Sequence, residues 1–150
     1  LYYGAAKGPV PVADYTIPLG KADVKRTGSD VTVVGYGTTV HAALAAAETL
    51  AGDGTSVEVV DLRTLVPLDL DGVLASVAKT GRLVIAHESV SFCGPGAEIA
   101  ASVGTELFGQ LQAPIQRVAG TYTPVPRAAT LEALCRPTAD SIVESIRSIS

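Results

Sequence analysis

A chain of 150 residues, 47% hydrophobic and 17% charged, suits one domain with a substantial apolar core and excludes a disordered tail. Net charge of −4, a pI near 5.0, no Lys/Arg cluster and few aromatics (two Phe, five Tyr, no Trp) exclude a nucleic-acid footprint and a base-stacking platform. No apolar run is long enough for a membrane span, no secretory signal is visible, and the two cysteines, Cys93 and Cys135, form no CxxC pair and read as reduced structural thiols.

The chain contains no Met and opens on Leu1-Tyr2-Tyr3-Gly4 without a helix or strand signal. We therefore expect a piece of a longer product, cut near a domain boundary. Residues 1–20 hold Pro9, Pro11, Pro18, Gly4, Gly8 and Gly20 and read as an extended linker, with the folded domain at 21–150. Lys21 to Lys25 offers a short strand before the turn Thr27-Gly28-Ser29-Asp30. Val31-Thr32-Val33-Val34-Gly35-Tyr36 predicts a buried strand, and Gly37-Thr38 opens a helix carrying Val40, Ala43, Leu44 and Ala47 at helical spacing. That helix should end near Gly52-Asp53-Gly54, where a glycine takes the left-handed conformation.

The β-branched run Ser56-Val57-Glu58-Val59-Val60 predicts the next buried strand. It empties into the polar corner Asp61-Leu62-Arg63-Thr64-Leu65-Val66-Pro67-Leu68-Asp69. Proline holds Val66 extended, and Asp69 stands ready to cap a helix. Leu70, Val73, Leu74 and Val77 give that helix its apolar face, and Gly81 stops it. Leu83-Val84-Ile85-Ala86 is a third strand leading into His87-Glu88. A helix over Ala97–Gly109, a strand at Ile115–Val118 and a last helix with Ile142, Val143, Ile146 and Ile149 follow. Apolar strands alternating with amphipathic helices predict an α/β domain with a mostly parallel sheet covered on both faces.

Three segments carry residues able to do chemistry. Gly35-Tyr36-Gly37-Thr38-Thr39-Val40 is a strand-to-helix turn whose N–H groups would favour an anion. The dinucleotide fingerprint needs a third glycine where Val40 stands, and no phosphate-loop lysine follows, so close helix packing is the favoured reading and nucleotide binding the alternative. His87-Glu88, at the carboxyl end of a parallel strand, precedes Phe92-Cys93-Gly94-Pro95-Gly96. Cys93 as nucleophile with His87 as base is one reading. The plainer one has His87 and Glu88 bonding across a subunit contact while Gly94 and Gly96 let the loop enter its helix. The exit Gly120-Thr121-Tyr122-Thr123-Pro124-Val125-Pro126 reads as a rigid connector that also offers a contact surface.

Taken in order, several segments resemble one family. They are Tyr15–Ala22, Asp30–Gly37, Asp61–Asp69, His87-Glu88, Gly94-Pro95-Gly96-Ala97-Glu98-Ile99 and Ala113-Pro114-Ile115-Gln116-Arg117-Val118. The chain resembles the C-terminal domain of the beta subunit of a thiamine-diphosphate-dependent 2-oxo acid dehydrogenase, of the pyruvate or branched-chain type, related to the last domain of transketolase. Tyr122 departs from the pattern, standing where such proteins often carry an acid. The resemblance implies a three-layer α/β/α fold with a five-stranded, mostly parallel sheet and one antiparallel edge strand. It implies an α2β2 parent that binds thiamine diphosphate and Mg outside this domain, leaving the present chain inactive alone. The linker would then come from an absent N-terminal domain. The implied partners are the alpha subunit, a second beta subunit and the subunit-binding domain of the dihydrolipoyl acyltransferase core; the location is the cytoplasm in bacteria or the mitochondrial matrix in eukaryotes. On that reading Arg63, His87, Glu88, Phe92, Gly94 and Gly96 lie at or near a subunit interface. Arg63 would make a bidentate bond to a carboxylate across or within that interface, and Asp140 and Glu144 on the last helix would steer a basic docking domain. An autonomous nucleotide-binding module or small Cys93/His87 enzyme is the competing class.

Overall fold

Side chains alternate along each strand, and that period of two sorts this sequence into two cores. The computed structural model describes Pro9 and residues 11–150. The rest of the expected linker, residues 1–8 and Val10, lies outside the described residues; residues 11–20 form no helix or strand. Ten elements follow: β1 (Asp23–Arg26), β2 (Val31–Gly35), α1 (Thr38–Ala51), β3 (Val57–Asp61), α2 (Leu70–Thr80), β4 (Leu83–Val90), α3 (Pro95–Glu106), β5 (Gln116–Gly120), α4 (Ala129–Ala133) and α5 (Ala139–Arg147). The sheet runs β1-β3-β2-β4-β5. β1 is the antiparallel edge and all other pairings are parallel, as the resemblance implies.

Val31, Val33, Val57, Val59, Val84 and Ala86 pack under α1 and α5, against Val40, Ala43, Leu50, Ile142 and Ile146. Val34, Val60, Leu83 and Ile85 turn to the opposite face and meet Val73 and Val77 of α2 and Ile99 and Val103 of α3. The three layers are therefore helix, sheet, helix. Polar groups on the second face are mutually satisfied. Thr32 Oγ1 lies 2.9 Å from Ser76 Oγ and 2.8 Å from Thr80 Oγ1. Glu58, 2% exposed, accepts from Ser76, Lys79 and the Gly28 N–H.

Local signals hold at most boundaries. The Asp69 carboxylate caps α2 by accepting from Gly72 N at 3.2 Å, and it also accepts from Ala22 N at 2.9 Å, stitching the entry to β1 onto the helix. Gly81 closes α2 in the left-handed region, at φ 69°. After α1 the expected left-handed glycine is Gly54, at φ 82°, while Gly52 stays right-handed. Other details differ from the sequence reading. α3 starts at Pro95 rather than Ala97 and ends at Glu106, because proline's fixed φ and missing N–H suit the first turn. β4 continues to Val90, so His87 and Glu88 are strand residues, with irregular register opposite β5 between His87 and Val90. The connector after β5 contains the short α4, which buries none of its residues.

Candidate functional site

The chain order crosses over between β2 and β4, so their carboxyl ends flank the crevice where open α/β sheets present functional groups. At β2 the exit is tight. A Cβ on Gly35 would stand 2.9 Å from Thr39 Oγ1 and 3.1 Å from the Ala86 carbonyl oxygen. Gly35 thus lets α1 close onto β4, and Thr39 Oγ1 donates to Ala86 O at 2.9 Å. Gly37 has φ 63° and opens α1 without a side-chain cap.

At β4 the structure brings His87, Gly94 and Gly96 together, and all three are buried within the chain. A Cβ on Gly94 would lie 2.9 Å from His87 Cε1, and one on Gly96 would lie 2.4 Å from Nε2. The two glycines exist here so that a helix start can rest on an imidazole ring. His87 Nδ1 is 2.9 Å from Ser89 O, and the ring stacks on Tyr36 with centroids 6.4 Å apart. Burial, opposed by the Ser89 carbonyl and assisted by the charge of Arg117, holds the His87 pKa below its ordinary 6.5. Neither ring nitrogen has Cys93 as a hydrogen-bond partner. Cys93 is exposed, in a left-handed turn at φ 55°, and is not the buried structural thiol the composition led us to expect.

The remaining expected residues are dispersed. Glu88 is exposed and accepts from Thr38 Oγ1, with Arg136 Nη1 4.0 Å away. Phe92 is exposed and meets Tyr122 edge to face at 5.5 Å. Arg63, at φ 56°, does find a carboxylate, but through one nitrogen: Nη2 lies 2.7 Å from Asp23 Oδ2 on the neighbouring edge strand. Asp140 and Glu144 are both exposed on α5, one helical turn apart.

Two features escaped the sequence reading. A cleft of about 260 Å³ opens between β4, the β5 exit and α4, with Glu88, Thr121, Thr123, Glu132 and Arg136 on its walls. An apolar cleft of about 250 Å³ lies between the polar corner and α3, against Leu65, Val66, Leu68, Pro95 and Ile99. The sequence holds no periodic signal for either, since each joins loop residues to a strand or helix distant in the chain. Among the described residues no three His, Cys, Asp or Glu side chains gather to hold a metal, and no helix is long and apolar enough to cross a membrane.

Fold and site define a doubly wound α/β domain whose distinctive residues converge on one end of its sheet. The family model described as transketolase, C-terminal domain, matches residues 20–142, and the chain belongs to that family. It is 48% identical over 141 residues to the beta subunit of acetoin:2,6-dichlorophenolindophenol oxidoreductase from Cupriavidus necator, covering 94% of this chain and 42% of that protein. It is 42% identical over 149 residues to the 2-oxoisovalerate dehydrogenase subunit beta of Bacillus subtilis, covering 99% and 46%. Among solved structures, a split-gene transketolase in an inactive beta4 tetramer superposes with a TM-score of 0.78 at 27% identity, over 95% of this chain and 46% of that one. The chain thus spans less than half the length of these curated relatives.

Proposed function

We propose that this chain is the C-terminal assembly and docking domain of the beta subunit of a thiamine-diphosphate-dependent 2-oxo acid dehydrogenase. The observation that carries the reading is the apolar surface at the carboxyl end of the sheet. Phe92, Tyr122 and Val125 are 65%, 75% and 73% exposed there, joined through Val90 and Thr123. Burying each such side chain is worth about 1.5–3 kcal/mol, which gives a partner reason to cover them. On this reading an alpha subunit and a second beta subunit, in an α2β2 assembly, meet Phe92, Glu88 and Arg63. His87, Gly94 and Gly96 shape that surface from beneath. Asp140 and Glu144 steer the basic subunit-binding domain of the acyltransferase core, raising the encounter rate more than the affinity.

Thiamine diphosphate and Mg belong to the parent enzyme. On this reading both are held outside this domain, and no catalytic step runs through it. Its contribution is position: it fixes where the reacting groups of other domains meet. Such a complex works in the cytoplasm of a bacterium or the matrix of a mitochondrion.

Phe92→Ser in the complete beta subunit tests the reading. Losing one covered aromatic weakens assembly with the alpha subunit about tenfold to a hundredfold, measured by sedimentation velocity. The thermal stability of the subunit by itself should barely move, because Phe92 is exposed. An unchanged assembly constant contradicts the proposal.

A further inference from the structure

His87 is buried and titratable, and the assembly role does not use it directly. The Ser89 carbonyl can only accept, so the hydrogen sits on Nδ1 and Nε2 is left as a lone pair. Among the described residues Nε2 has no hydrogen-bond partner. The ring holds the next segment from two sides. Nδ1–H donates to Ser89 O, while the stacked Tyr36 places its hydroxyl 2.9 Å from Ser89 Oγ. Gly94 and Gly96 lie directly on the ring, closing the far end of the loop.

We propose that the segment Ser89–Gly94, the end of β4 and the loop after it, is a proton-released latch: neutral His87 clamps it, and a proton on Nε2 opens it. That proton would turn Nε2 into a donor pressed against Gly96, at the positive end of α3, with no acceptor to receive it. No charged neighbour compensates. Arg117 of β5 adds like charge, and its Nη1 donates to Ser91 O at 3.0 Å. Tyr36 of β2 is engaged with Ser89, and the Glu88 carboxylate of β4 accepts from Thr38 of α1. Glu98 of α3 is exposed to water, as is the Cys93 thiol in the loop itself.

In the opened loop the ring meets water and its pKa returns to about 6.5, above its value in the closed form. The clamp is therefore at full strength above pH 6.5 and weakens as pH falls below that value. With the closed form staying neutral, the opening equilibrium rises about tenfold between pH 7.5 and pH 5.5. The latch carries Phe92, so its consequence for assembly rests on the function proposed above. Its opening does not, because it is read on the full-length protein that contains this chain, without any partner.

Amide hydrogen exchange, corrected for intrinsic pH dependence, tests it on the full-length protein that contains this chain. Ser91 N–H, bonded to Gly120 O, should open more at pH 5.5 than at pH 7.5, by at most about tenfold, while Val33 and Val59 in the central strands stay unchanged with pH. His87→Asn keeps a donor near the Nδ1 position without titrating, and should abolish the response. Should that variant not fold, NMR titration of the wild type decides: His87 must titrate below the ordinary 6.5. A pH-independent loop, a response persisting in a folded His87→Asn chain, or a His87 midpoint at or above 6.5 overturns the latch.

Discussion

Gly96→Ala puts one methyl group against the buried His87 ring. The new Cβ would lie 2.4 Å from His87 Nε2, 2.7 Å from Cδ2 and 3.2 Å from Ile85 Cγ2. Ordinary carbon contacts sit near about 3.5 Å or beyond, so the overlap with the ring is roughly 1 Å. The backbone is not the difficulty, since Gly96 is not among the residues at positive φ. His87 cannot retreat freely, with Tyr36 stacked on it and Nδ1 tied to Ser89 O. Overpacking of this kind costs about 1–3 kcal/mol, and tearing the Nδ1 bond adds about 1 kcal/mol. The better helix propensity of alanine returns at most about 1 kcal/mol. The net cost is about 2–3 kcal/mol, or a fall in Tm of about 5–10 °C for a domain of this size. Urea unfolding at pH 7.5 measures it with His87 neutral. A double-mutant cycle with His87→Ala supplies the control, because without the ring the extra methyl has room and its cost should fall close to zero. An equal cost in both backgrounds, or a Gly96→Ala chain more stable than wild type, refutes the packing argument.

Two further outcomes concern the charged groups that fix the fold. Bonds from Ala22 N–H, and with them Gly72 N–H and Lys21, hold the Asp69 carboxyl below its ordinary 3.8, so its stabilisation is present above that pH and disappears as pH falls through the lowered value. Asp69→Ala should cost about 1–2 kcal/mol at pH 6, and the gap from wild type should narrow steadily as pH falls below 3.8 in thermal melts; a constant gap would show that the carboxylate is not the cause. For Glu58, burial alone raises the pKa, but Lys79, Ser76 and the Gly28 N–H together leave it below its ordinary 4.5. Lys79→Met should cost about 1–2 kcal/mol, the lysine being half exposed, and move the acid limb of the stability curve to higher pH. An unmoved acid limb would count against that account of Glu58.

The strands and long helices were legible because two physical signals agree there. Val31–Val34 is an unbroken β-branched run, Val57–Val60 is one interrupted only by Glu58, and Leu70 to Val77 repeats at helical spacing between an Asp cap and a Gly stop. α4 was not legible: five residues that bury nothing show no periodicity to read. β4 beyond Ala86 was hidden because His87, Glu88 and Ser89 are polar, whereas the pairing with β5 is made by backbone. At the site, the sequence picked out His87, Gly94 and Gly96 without showing why they go together. Two glycines spaced by one residue at a helix start signal that something large approaches closely, and the structure identifies it as the imidazole. Arg63 was legible as an ion-pairing residue, but Asp23 was not foreseeable as its partner, since only sheet order brings β1 beside β3. The Phe92–Tyr122 pair was equally hidden, its members being thirty residues apart on two loops.

The central claim, that this domain works as part of a multi-subunit dehydrogenase, is tested most directly by native mass spectrometry of the protein captured from its own cell with an antibody to this chain. The account predicts a subunit of at least about twice 15.3 kDa, bound to an alpha subunit in a complex with thiamine-diphosphate-dependent 2-oxo acid decarboxylase activity. A free species of 15.3 kDa with no alpha subunit would contradict it.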